Sequence, residues 1–144
     1  LMHPAWAVTS VAVTFLWLGM VLAISFLEAP LKFRAPGVTI PIGLGIGRLV
    51  FRALNLVEAV LAVALAGVVA VGDRPVGIVG PVVAVIVLLA AQLIVVRPRL
   101  NRRSERVLAG EDVPRSREHL YYVGLEVAKV VALVALGIGL LTHP

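Results

Sequence analysis

The chain has 144 residues, of which 60% are hydrophobic and only 15% charged, with a mean hydropathy of +1.05. A soluble domain of this size has too little interior to bury that apolar surface, so the composition excludes an ordinary water-soluble fold and points to lipid as the solvent. The absence of cysteine removes disulfides, thiolate metal sites and cysteine nucleophiles, and the net charge of +5 sits in segments flanking apolar runs, which favours anionic lipid headgroups over nucleic acid.

Crossing a hydrocarbon core about 30 Å thick takes about 20 apolar residues in a helix, and four stretches are long enough. They run over about 4–28, 42–71, 76–96 and 117–141. The first is expected to remain in the membrane and not to be cleaved as a secretory signal. No basic stretch precedes it, and its apolar run from Pro4 to Leu27 exceeds the length of a signal core. Pro30, Pro36, Gly37 and Pro41 mark its end. The second stretch ends at Gly72 to Gly77, and Pro98 is expected to end the third. Ser116 is the expected N-cap of the fourth, with Pro114 preventing extension upstream. Strands are not expected despite the valines, because an open sheet edge cannot face lipid and four short strands could not close a barrel. The expected fold is all-α, an integral membrane four-helix bundle in a single domain.

Orientation follows from the basic residues of the short connections. Lys32 and Arg34 lie in the first; Arg97, Arg99, Arg102, Arg103, Arg106, Arg115 and Arg117 lie in or beside the third, over about 97–116. The second connection has Arg74 beside Asp73. The first and third connections are therefore expected to be cytoplasmic, with the N and C termini outside and the protein a multi-pass component of the cell inner membrane. Trp6 is expected at the outer edge and Tyr121 with Tyr122 at the inner edge, as interfacial anchors. The arginine-rich connection is expected to meet anionic headgroups of the lipid bilayer, its main role being to fix topology. Leu100, Val107 and Leu108 would permit a brief surface helix there.

Ionisable residues within spanning segments are expensive and turn toward the bundle interior or water. Here they are Glu28 in the first segment, Arg48, Arg52, Asn55 and Glu58 in the second, Gln92 in the third, and His119, Tyr122, Glu126 and Lys129 in the fourth. Alternating helix direction brings all of these to the cytoplasmic half, leaving the outer half almost without polar groups. At roughly 100° per residue, Arg48, Arg52 and Asn55 share a face that Glu58 flanks, while spacings of three, four and three make His119, Tyr122, Glu126 and Lys129 one stripe. Two facing stripes closed by Glu28 and Gln92 would form one pocket, in which Arg48, Arg52 and Lys129 oppose Glu28, Glu58 and Glu126. Such a cluster serves either as an ion-pair network that fixes helix register or as a ligand-binding cavity for an ion, proton or small polar molecule.

Other motifs add less. Gly43-Leu44-Gly45-Ile46-Gly47-Arg48 lacks both the third glycine and the preceding strand of a dinucleotide loop, so Gly43 and Gly47 are read as helix-packing positions, as are Gly137 and Gly139. His3, His119 and His143 fall at different depths, so no metal site is expected, and no cofactor motif appears. An enzyme would have only Glu58, Glu126 and His119 to draw on, and the pattern does not read as one.

The pattern Trp17-Leu18-Gly19, Phe26, Pro30, Phe33, Gly47-Arg48 and Phe51, within about the first 60 residues, resembles a family of small bacterial four-helix membrane proteins of unknown function related to the transmembrane-protein-205 group. The resemblance implies four spans and brings no activity. Small multidrug transporters need a glutamate in the middle of the first helix, where this chain has Glu28 at its end. Fluoride channels carry threonine and phenylalanine in the third segment, which has neither here. The expected function is thus a small polytopic transporter or ligand-binding protein, in which Arg48 and Arg52 attract an anion and a homodimer supplies room for a pathway; the alternative is a structural or accessory subunit of a larger membrane complex.

Overall fold

The computed structural model of the chain describes residues 5–72, 74–110 and 117–142, with side chains from residue 120 onward in the last stretch. All regular structure among them is helical, in four long helices: α1 (Ala5–Arg34), α2 (Ile40–Val71), α3 (Val76–Leu108) and α4 (Arg117–Thr142). Each contains a stretch long and apolar enough to cross a membrane. The helices form a ring in chain order. α4 packs most extensively on α3 and then on α1, and α2 completes the ring by touching α3 and α1.

Local chemistry sets the connections. Gly37 takes a φ of +82° in the turn after α1, a conformation that a Cβ disfavours. Thr39 then caps α2, its Oγ1 accepting from the Ile42 N–H at 3.3 Å, with Pro41 in the first turn where no donor is missed. Gly110, at a φ of +91°, terminates α3 by donating its N–H to the Val107 carbonyl.

Two expected helix ends are corrected. α1 does not stop at Glu28, nor α3 at Val96; both run through a proline. Each does so by widening first into a π turn, over Leu22–Glu28 in α1 and Gln92–Val96 in α3. The Ala29 N–H reaches back to the Ile24 carbonyl and the Arg97 N–H to that of Gln92, five residues rather than four. A proline ring clashes with the carbonyl four residues behind it, and the wider turn gives that clash room without ending the helix. Much of the segment expected as a basic loop is therefore helix, Arg97–Leu108, while residues 111–116 lie outside the described residues.

The two prolines also share a register. Sixty-eight residues separate Pro30 from Pro98, and the same offset relates the buried positions of α1 to those of α3: Ser10 to Ile78, Thr14 to Val82, Trp17 to Val85 and Val21 to Leu89. It also relates Leu54, Glu58 and Leu65 of α2 to Tyr122, Glu126 and Leu133 of α4, all buried. The correspondence is partial: Asn55 is buried while Val123 is exposed, and Gln92, Val96, Lys129, Leu136 and Leu140 are buried where Ile24, Glu28, Leu61, Val68 and Gly72 are not. The bundle is thus two helical hairpins in series that share part of their inward register.

The apolar core gathers Trp17, Val21, Leu65, Ile78, Val85 and Leu133 among others, while many large apolar side chains such as Leu49, Val63 and Val76 point outward. That inverted exterior suits hydrocarbon. Small residues let helices close up: a Cβ on Gly139 would collide with the Gly77 carbonyl oxygen of α3, and one on Gly137 would come within 2.8 Å of the Phe15 ring. Gly43 and Gly47 face the last turn of α1, against Phe33 and Lys32.

Candidate functional site

The inward face shared by the hairpins places Glu58 and Glu126 on opposite helices of the ring. Lys129 lies one turn beyond Glu126 on α4, so its ammonium reaches both carboxylates: 2.5 Å to Glu58 Oε2 and 2.6 Å to Glu126 Oε1. The π turn of α3 begins at Gln92, whose Oε1 accepts from Lys129 at 2.8 Å and whose Nε2 donates to Glu126 Oε1 at 2.8 Å. From α1, Trp17 donates its indole N–H to Glu58 Oε2 at 2.7 Å, and Ser25, held in the other π turn, donates its hydroxyl to Glu126 Oε2. All four helices therefore meet in one polar knot. Glu58, Gln92 and Lys129 are 0% exposed.

Two features of this knot matter chemically. Lys129 has three N–H donors and three acceptor oxygens around it, so its capacity is used. The carboxylates are less balanced. Two of them face one ammonium, a formal excess of one negative charge, and Glu58 Oε1 is buried with no hydrogen-bond partner among the described residues. An uncompensated charge or an unpaired polar atom is costly at such a site. The charge deficit and the hydrogen-bond deficit fall on the same cluster.

The other expected members go elsewhere. Glu28 pairs at 3.6 Å with Lys32 on its own helix, and Arg48 pairs at 3.2 Å with Glu105 on the basic end of α3. Arg52 is exposed and makes no ion pair or hydrogen bond among the described residues. The expected opposition of three acids and three bases in one pocket is replaced by a single lysine between two glutamates. Arg48 and Arg52 start too near the helix end for the knot's depth, and their long side chains lead the charge outward. The side chain of His119 lies outside the described residues.

Asn55 and Tyr122 are buried on the basic side of the knot. The Tyr122 ring meets Phe51 edge-on, with centroids 5.9 Å apart, and the Arg97 guanidinium lies over both rings, 4.4 Å from Tyr122 and 4.9 Å from Phe51. Tyr122 is thus an inward-facing residue and not the interfacial anchor expected of it, whereas Tyr121 is exposed. Arg48, Arg52, Asn55, Arg97 and Asn101 line an open recess of about 470 Å³ between α2 and the basic end of α3.

Sequence reasoning missed Trp17, Ser25 and Arg97. Trp17 had a legible signal, since Ser10, Thr14, Trp17 and Val21 recur at spacings of four, three and four on one face. Both hydroxyl residues are buried without side-chain hydrogen-bond partners among the described residues, so the half expected to lack polar groups contains two on its inward face. At that same end Arg74 stacks on Trp6 at 3.9 Å. Among the described residues no group of three or more histidines and carboxylates is arranged to hold a metal ion. No protein-family model, curated protein or solved structure matches the chain.

Proposed function

We propose that this chain is a small multi-pass transport protein of the cell inner membrane, and that the Glu58–Lys129–Glu126 knot is its site for a monovalent cation, the proton included. The basic ends of α1 and α3 would be cytoplasmic and both termini outside, following the bias of arginine and lysine. The observation that carries the reading is the coincidence of one unbalanced negative charge with one unpartnered carboxylate oxygen, Glu58 Oε1, deep in an apolar bundle. A cation against that oxygen neutralises the knot and fills the missing interaction, while a proton on it removes the excess charge. Its position between two hairpins of partly matching register is also where transporters assembled from repeats hold their ions. Thr14 and Ser10 extend a hydroxyl-bearing face from Trp17 toward the outer end, and Asn55 leads from Glu58 toward the recess.

The test is ion flux into vesicles containing the purified full chain, recorded for protons, sodium and potassium in turn. Glu58→Gln, which keeps the shape and the acceptor for Trp17 while removing the charge, is expected to reduce flux of the transported ion at least about tenfold, the equivalent of about 1.4 kcal/mol. Wild-type vesicles as tight as protein-free ones would overturn the proposal. So would flux unchanged in Glu58→Gln; a knot that merely lowered thermal stability when altered would be a register lock, as in an accessory subunit.

A further inference from the structure

The recess is a second polar feature, separate from the knot, and its chemistry has the opposite sign. Arg48, Arg52 and Asn55 recur at spacings of four and three along α2, while Arg97 and Asn101 stand one turn apart on α3, so two polar stripes face each other across the opening. Three guanidinium groups line it and only one carboxylate, Glu105, engages any of them in a described ion pair. Arg52 carries a full set of donors without a protein acceptor among the described residues.

Two buried atoms narrow the class of occupant. The Arg97 guanidinium lies against both the Phe51 and Tyr122 rings, yet its buried Nε has no acceptor among the described residues. Asn55, 8% exposed, has an unpartnered Oδ1, an acceptor without a donor. An occupant that satisfies both must accept hydrogen bonds from guanidinium groups and donate one to an amide oxygen. We propose that the recess binds a phosphate-class oxyanion that also bears a hydroxyl. Hydrogen phosphate fits that description; so does the phosphate of phosphatidylglycerol, whose headgroup carries hydroxyls. The several oxygens of a phosphate match guanidinium forks arriving from two helices. Sulfate, fully ionised near neutral pH, accepts but cannot donate.

The experiment is calorimetric titration of the full chain with inorganic phosphate and with sulfate in detergent, paired with lipid retention from phosphatidylcholine nanodiscs with and without phosphatidylglycerol. Saturable binding is expected, phosphate tighter than sulfate, weakened about tenfold by Arg52→Gln and partly restored by Arg52→Lys, the size expected for one charge-assisted hydrogen bond. Arg99→Gln removes the same charge from an exposed position outside the recess and should change little. Glu58→Gln should leave phosphate binding intact, which separates this site from the proposed cation site. Binding of free phosphate identifies a soluble oxyanion; retention of phosphatidylglycerol alone, sensitive to Arg52→Gln, identifies the lipid source. Equal losses in Arg52→Gln and Arg99→Gln would show diffuse surface charge and overturn the proposal, as would binding of neither ligand.

Discussion

The two hairpins share part of their inward register but differ in chemistry. On the first, α1 contributes Ser10, Thr14 and Trp17 where α3 of the second has Ile78, Val82 and Val85. The second carries Gln92 and Lys129 where the first has Ile24 and Leu61. Among the buried polar positions only the glutamates coincide, Glu58 with Glu126. The second hairpin is consequently self-neutral at its centre, since Glu126, Lys129 and Gln92 contact one another without help. The first brings a glutamate with no base of its own at that depth and borrows the lysine across the bundle. The excess negative charge therefore enters with α2, and the partnerless oxygen belongs to the borrowing side.

That asymmetry can be broken at Lys129. Lys129→Leu would leave two buried carboxylates facing each other and should cost about 3–5 kcal/mol, as expected for one partner lost from a buried ion pair. Detergent-induced unfolding, followed by helix signal, would measure the loss. The exchange Leu61→Lys with Lys129→Leu moves the base to the matching position of the first hairpin. It should recover about 2 kcal/mol or more if the hairpins are interchangeable at this depth. No recovery would mean that their shared burial does not extend to side-chain geometry.

A smaller effect separates the helix contacts. Gly139→Ala drives a methyl into the Gly77 carbonyl and should destabilise by about 1–3 kcal/mol. Its counterpart by register is Val71, 82% exposed, where alanine should change stability by less than about 0.5 kcal/mol. Similar losses at both positions would erase the distinction between a tightly closed second hairpin and a looser first one. The smallest expected change is at Ser25. Ser25→Ala removes one donor to Glu126 while Lys129 and Gln92 remain, and should cost about 1 kcal/mol in the same unfolding measurement.

Four helices long and apolar enough to cross a membrane were legible from the sequence because hydrocarbon thickness dictates apolar length. Helix ends were less so. Pro30 and Pro98 read as stops by local rules, but each helix continues past its proline after a π turn, and the side chains of Ser25 and Gln92 in those turns reach the knot. The phase of the polar stripes correctly put Glu58, Glu126 and Lys129 inward, but phase says nothing about depth. Arg48 and Arg52 occupy a suitable face at the wrong level, and Glu28 has an acceptable level beside a nearer base, Lys32. Trp17 was hidden by its type, since tryptophan in an apolar helix reads as packing unless a partner across the bundle is known.

The paired π turns have a mechanical consequence. Each holds one residue more than an α-helical turn, and an α-helix advances about 100° and 1.5 Å per residue. Tightening the turn at Gln92 would swivel the whole arginine-bearing extension of α3 by that amount while drawing the glutamine amide away from Lys129. The spare residue would therefore join the deep ammonium to the attitude of the arginine-bearing arm.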